Sequence, residues 1–269
     1  MRTWPIKIAS LLVLPFLPGA LLASTPARPN FPRLDHRGHV NKAVEDRSDP
    51  VWERAARESL QKEPISLRNE ARGYPLIEGN PRDKCIALTF DDGPHPAFTE
   101  KLLAILRDEH VPATFFVVGK MAEKSPEIVR DEFLQGDLIG NHTFSHVTLT
   151  HLPQAQIRTE LRACSDVIHD ITGQWPHYCR PPGGDTSEPV VTAARDLGMT
   201  TVLWSDDPGD YSNPGAAVIK RRILAKLHPG AIILLHDGIP ETMEVLPQII
   251  RYARERGYRF VTVNQLPVD

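Results

Sequence analysis

From residue 81 onward, short uninterrupted apolar runs alternate with longer stretches whose apolar residues recur every three or four positions. The runs predict buried strands and the stretches predict amphipathic helices. Cys85-Ile86-Ala87-Leu88, partly β-branched and bounded by charge, opens the series as a strand covered on both faces. The pattern then predicts a helix over 99–109, with Leu102, Leu103, Ile105 and Leu106 on its buried side, a strand over 113–118, a helix over 126–134 and a strand at 138–139. A long helix over 153–172 carries Ile157, Leu161, Val167, Ile168 and Ile171, and leads to strand four at 178–180, a helix over 189–197 and strand five over 200–204. A helix over 216–227, strand six over 231–235, a helix over 243–256 and strand seven over 260–263 complete the series, with no internal repeat. Repeated βα units imply an α/β fold with a parallel sheet, helices outside, closed or nearly closed as a barrel. Ligands of such a sheet sit at the carboxyl ends of its strands.

Composition fits a single α/β unit with extensions: 269 residues, 41% of them hydrophobic, are enough for a full core. A net charge of −3 gives no basic field, so nucleic acid is not an expected partner. The chain begins Met1-Arg2-Thr3-Trp4-Pro5-Ile6-Lys7, two positive charges, and continues with an apolar run over 8–23 ending in small residues. That order predicts a signal peptide over 1–23 and an exported protein, periplasmic or extracellular. The run is shorter than a spanning helix needs and holds Pro15 and Pro18, so no stable membrane anchor is expected after cleavage. Residues 24–80, rich in Pro, Arg, Asp and Glu, read as a linker or small covering extension, with a short helix around 52–62. The main domain is then 81–269. Three cysteines cannot all pair within one chain; Cys164 and Cys179 flank a helix-to-strand connection and form the candidate bridge, and Cys85 reads as a small buried hydrophobe.

The informative side chains follow the strand ends. Strand one stops at Asp91-Asp92, and Gly93-Pro94 then breaks the backbone. The two carboxylates point in different directions, which suits one to a metal and the other to a proton, although Asp-Gly-Pro is also an ordinary turn former. After strand three come His142 and His146, which share a face if that segment is helical. Together with Asp92 they compose a two-histidine, one-aspartate set that leaves coordination sites free; on its own the spacing also suits a pair at the surface. Strand six delivers His236 from the apolar run 232–235, either as a structural histidine or as a general acid. Arg180, in Cys179-Arg180-Pro181-Pro182-Gly183-Gly184, adds a cation on a stiff backbone with N–H groups at Gly183 and Gly184, and Trp204 to Tyr211 adds acids and aromatics.

Thr89-Phe90-Asp91-Asp92-Gly93, His142-x-x-x-His146, Arg180-Pro181-Pro182, Asp207-x-x-Asp210-Tyr211 and Leu234-Leu235-His236 resemble, in order, the five motifs of the NodB-like polysaccharide deacetylases, carbohydrate esterase family 4. The similarity runs over about 84–266. It implies a distorted, incomplete (β/α) barrel of about seven parallel strands and a metal-dependent hydrolase that removes acetyl groups from a carbohydrate polymer or oligomer, usually from N-acetylglucosamine units. By the same resemblance, Asp92, His142 and His146 bind one divalent ion, zinc first and cobalt or another ion next. Asp91 is then the base, Arg180 its orienting cation, His236 the acid and Asp210 the carboxylate that keeps it protonated. Gly183, Trp204, Asp207, Tyr211 and Leu234 border the substrate, and the protein is expected to act as a monomer. Three positions depart from the family pattern: Gly183 replaces a usual aromatic, Tyr211 a common tryptophan, and Cys179 a large apolar residue. Two alternatives are an O-acetyl esterase acting on xylan or another polymer, and an inactive carbohydrate-binding domain. A metallophosphatase or nuclease would need a basic surface and a second metal cluster.

Overall fold

Alternation along the strands decides which residues meet inside the barrel and which face the helices. The structure, a computed structural model, describes residues 75–268. The expected signal peptide, the short helix around 52–62 and the extension as far as residue 74 lie outside the described residues. Strand β1 (Cys85–Asp91) is buried along its whole length, as a strand covered on both faces must be. Its Ile86, Leu88 and Phe90 join the cluster formed with the helices, whereas Cys85 and Ala87 join Phe116, Tyr178, Val202 and Ile232 in a second cluster. A period of two therefore carries Thr89 and Asp91 onto the inner face as well.

After β1 the described elements run α1 (Thr99–Asp108), β2 (Thr114–Val117), α2 (Gly119–Lys124), α3 (Pro126–Gln135), β3 (Leu138–Asn141), α4 (Gln154–Thr172), β4 (Tyr178–Cys179), α5 (Glu188–Asp196), β5 (Thr200–Thr201), α6 (Ala216–Lys226), β6 (Ile232–His236), α7 (Pro240–Glu255) and β7 (Arg259–Phe260). The strands lie in the order β5-β4-β3-β2-β1-β6, with β7 beside β1, and each of these pairs is parallel. Register is tight at the carboxyl end, where Asp91 lies opposite both Phe116 and His236. Asn141 lies opposite Val117 on one side and Cys179 on the other.

Between β5 and β6 the barrel is completed by single bridges rather than by a ladder. Leu76 pairs with Val202, Glu78 with Ala231 and Asp206 with Ile233. This shortens the expected fifth strand. Beyond Thr201 the extended backbone turns its hydrogen bonds to Leu76 (Leu203 N–H to Leu76 O, 2.8 Å) and then to Ile232 (Ser205 N–H, 3.1 Å). The seventh strand is also short, because the chain curls into a 3₁₀ turn at Val263–Gln265 after Val261 N–H reaches Ile86 O at 3.0 Å. The six-residue helix α2 was not expected from the periodicity, since Gly119-Lys120-Met121-Ala122-Glu123-Lys124 is too short to show one. Gly140 is required where it stands, as a Cβ would lie 2.5 Å from the Phe116 ring that fills the interior.

The expected Cys164–Cys179 bridge is not formed, and all three cysteines are free and buried. Cys164 packs with the central core and directs its thiol at Val117 O (3.4 Å), while Cys179 packs with Leu149, Ile157 and Val190 and faces Thr201 (3.9 Å). Burial pushes both thiols up to about 12, so they behave as small hydrophobes. Among the described residues no helix is long and apolar enough to cross a membrane.

Candidate active site

Inner-face residues of several strands meet at the carboxyl end, and a fully buried arginine lies among them. Arg180 is fully buried just past β4. Its guanidinium donates to Thr89 Oγ1 (2.8 Å), Asp91 Oδ1 (2.7 Å), Val202 O (3.3 Å) and Leu203 O (2.9 Å), and lies 4.2 Å from the centre of the Phe116 ring. A buried cation is tolerable only with this many partners. The pair fixes one oxygen of Asp91 and leaves Oδ2 facing His142 Nε2 at 3.8 Å.

Asp92, the next residue, leaves the strand through a left-handed conformation (φ 73°), and its carboxylate approaches the same His142 nitrogen that Asp91 faces. Its Oδ1 lies 3.3 Å from His142 Nε2 and 2.9 Å from His146 Nε2. The two histidines are not on a helix. They flank an irregular loop in which Thr143 (φ 66°) and His146 (φ 55°) are both left-handed, so the expected shared helical face is replaced by a bend that brings the rings to 5.1 Å. Ligand atoms from Asp92, His142 and His146 all fall within 4.8 Å of one another and could hold a metal ion.

The donor chemistry fits a cation. His142 Nδ1 lies 2.7 Å from Arg180 O, which can only accept, so in the neutral ring the proton sits on Nδ1 and Nε2 presents a lone pair. That lone pair faces Asp92 Oδ1, a buried oxygen with no hydrogen-bond partner. Two electron-rich atoms in contact call for a positive charge between them. Burial of Asp92 opposes its ionisation, but the close approach of the two imidazoles outweighs it and holds the carboxyl well below the usual range.

His236 closes the opposite side of the mouth. Its Nδ1 lies 2.7 Å from Asp210 Oδ1 and its backbone N–H donates to Asp210 Oδ2 at 2.9 Å, while Thr242 Oγ1 adds a third bond to the same carboxylate at 2.8 Å. Burial disfavours the imidazolium, yet the Asp210 hydrogen bond and the charges of Asp210, Asp91 and Asp92 together raise the His236 pKa above its ordinary value. Tyr211, 59% exposed, sets its ring edge-on to His236 at 5.5 Å between centres. Leu234 is buried two residues before His236 on β6.

The remaining expected residues form the edge. Trp204 lies 5.6 Å from the Arg180 guanidinium and covers Gly184, where a Cβ would meet the indole at 2.4 Å. Gly183 (φ 67°) faces open space, but the N–H of Gly184, expected to be free, is bonded to Pro181 O at 2.9 Å. Asp207 accepts from Gly209 N–H at 2.7 Å and so shapes its own turn. Sequence reasoning missed Thr89 and Thr242, which hold Arg180 and Asp210. Thr89 was within reach of it, two residues before Asp91 and so on the same face.

Residues 78–202 match the family of polysaccharide deacetylases. A peptidoglycan-N-acetylglucosamine deacetylase of Bacillus cereus is 35% identical over 202 residues, covering 73% of this chain and 94% of the relative. The chain belongs to the polysaccharide deacetylase family. A chitooligosaccharide deacetylase of a Bradyrhizobium strain is 33% identical over 217 residues, covering 75% of this chain and 98% of that protein. Among solved structures, a CE4 family pseudoenzyme mutant with restored enzymatic activity superposes with a TM-score of 0.70 at 31% identity, covering 72% of this chain and 71% of that one. The chain is thus a polysaccharide deacetylase enzyme, with an α/β fold that matches structures of carbohydrate esterase family 4. The family and the Asp92-His142-His146 cluster together support a divalent metal.

Proposed function

We propose that the protein hydrolyses the N-acetyl group of N-acetylglucosamine units in a polysaccharide or oligosaccharide, with zinc at Asp92, His142 and His146. One observation carries this reading: a buried carboxylate held by Arg180, a three-ligand cluster and a histidine paired to Asp210 converge on one mouth. The two relatives described above act on peptidoglycan and on chitooligosaccharides, which share that sugar unit.

A divalent ion in the cluster supplies Lewis-acid polarisation of the acetyl carbonyl and acidifies water. Asp91 takes the proton from the attacking water, and Arg180 holds one oxygen of that carboxylate so that the other is turned toward the cluster. The water oxygen bonds to the acetyl carbon, and the carbon–nitrogen bond breaks as His236 gives a proton to nitrogen, which would otherwise leave as an amide anion. Asp210 holds His236 by Nδ1, so that Nε2 is the donating atom. The products are acetate and a free amino sugar. Gly183 replaces a side chain with open space, which widens the edge of the groove. The order of charge and apolar residues over 1–23 supports a site of action outside the cytoplasm.

The test is acetate release from a panel of acetylated glycans, including xylan for ester cleavage, with and without chelator. Asp91→Asn should keep the metal and lose turnover, whereas His146→Ala should lose both. Equal metal loss in the two variants, or release from xylan alone, would overturn the assignment.

A further inference from the structure

The two histidine arms are held by different means. His142 is buried, with its side chain 2% exposed, and its ring is fixed through Nδ1 to Arg180 O. His146 has a side chain 45% exposed, and among the described residues its Nδ1 has no hydrogen-bond partner. A histidine ligand is ordinarily oriented by whatever its second nitrogen bonds. With that handle absent, the orientation of His146 depends on its backbone, and this backbone is strained: Thr143, a β-branched residue, and His146 are both left-handed.

Backbone N–H groups show what holds the strain. His142 N–H goes to Val117 O (2.9 Å), Thr143 N–H to Asn141 Oδ1 (2.8 Å) and His146 N–H to Thr143 Oγ1 (3.1 Å). The two between, Phe144 and Ser145, both go to Glu160 on α4, the first to its backbone oxygen at 3.1 Å and the second to its carboxylate at 2.8 Å. Glu160 therefore holds the N–H side of two consecutive peptide units just before His146, while their carbonyls, Thr143 O and Phe144 O, accept from the Gly119 and Lys120 N–H groups at 3.0 and 2.9 Å. Its helix is anchored in turn, because Asn141 Nδ2 donates to Leu161 O (2.7 Å) and Ser165 Oγ (2.9 Å) on the same helix.

We infer that Glu160 is a positioning residue for the His146 ligand: its carboxylate, bonded to the Ser145 N–H, sets where the imidazole arrives at the metal. The inference rests on the metal role proposed for Asp92, His142 and His146. The Ser145 bond needs an acceptor oxygen rather than a charge, so glutamine should replace glutamate and alanine should not.

The experiment uses the full chain with Glu160→Ala and Glu160→Gln. Zinc affinity is measured by competition with a chromophoric chelator, the visible absorption of the cobalt-loaded protein is recorded, and thermal midpoints are compared. Glu160→Ala should weaken zinc about tenfold and alter the cobalt spectrum, while Glu160→Gln restores both. Wild-type affinity and spectrum in Glu160→Ala, or a loss that tracks a fallen midpoint and is not recovered in Glu160→Gln, would overturn the positioning role. Failure of the wild-type protein to take up either metal would instead overturn the metal reading, and this inference with it.

Discussion

Two sets of buried carboxyls occupy one barrel, and they are treated in opposite ways. At the mouth, Asp91 faces the Arg180 guanidinium, and Asp210 receives three donors from His236 and Thr242. Elsewhere, Glu132 on α3 and Asp206 after β5 are fully buried, and none of their carboxylate oxygens has a hydrogen-bond partner. Asp137 bonds Ala113 N–H through Oδ1 at 2.8 Å but leaves Oδ2 without a partner. Burial, reinforced by Asp237, Asp137 and Asp131, raises the Glu132 pKa well above its ordinary value. Burial likewise pushes Asp137 up to about 7, and Asp206 to about 6 despite Lys226 and His228. The fold surrounds the first carboxyls with a cation or several donors, and leaves the second mainly to burial, which favours their protonated form. The first set lines the mouth; the second weighs on stability.

Breaking the well-partnered set should have the largest effect. Arg180→Met leaves Asp91 buried without its cation, a loss of ~3–5 kcal/mol of unfolding free energy at neutral pH, with deacetylation abolished. Adding Asp91→Leu should recover most of the stability and none of the activity. Urea unfolding reads the first quantity and acetate release the second. If the single variant unfolds like the parent, the pairing does not carry the energy assigned to it.

Asp210→Asn is milder and sharpens the comparison. It keeps an acceptor for His236 but removes the charge that helps raise the imidazole pKa. The proton-donating form of His236 exists below its pKa, so activity declines as pH rises through that value. In the variant the value drops, the alkaline limb of kcat/KM moves to lower pH, and the rate above neutral pH falls on the order of a hundredfold. A pH–rate profile whose alkaline limb stays in place would detach Asp210 from the acid.

How much of this was legible in the sequence depends on whether the cause was local. The alternating blocks gave the seven strands, and Thr89 and Asp91 lie together on one inner face because their separation is two. The five motifs gave the candidate site residues by order along the chain. The His142–His146 loop was misread as helical, because its left-handed turns are held by Asn141 and Glu160, and a bond from residue 145 to residue 160 leaves no periodic trace. Cys164 and Cys179 looked suitable for pairing along the sequence, yet they pack into different clusters. The seam filled by Leu76 and Glu78 lies ahead of the first recognisable strand, in residues whose polar composition concealed a role in the sheet.

The poorly partnered set yields the smallest effect, and its sign separates it from the first. Glu132→Met replaces a carboxyl without partners by an apolar chain of similar length, and should stabilise the protein by ~1–3 kcal/mol at neutral pH. Because the folded pKa of Glu132 is raised, the folded state retains a proton that the unfolded chain has released. Stability of the parent therefore falls as pH climbs above the ordinary glutamate value of 4.5, and the advantage of methionine should shrink toward acid pH. Asp137→Asn keeps an oxygen for the Ala113 N–H and should show the same sign, its pH dependence ending near 7, where the parent carboxyl finally ionises in the folded state. Neither side chain touches the mouth, so acetate release should be unchanged in both. A destabilised Glu132→Met at neutral pH would mean that this carboxyl is charged and paired after all, and the distinction between the two sets would fail.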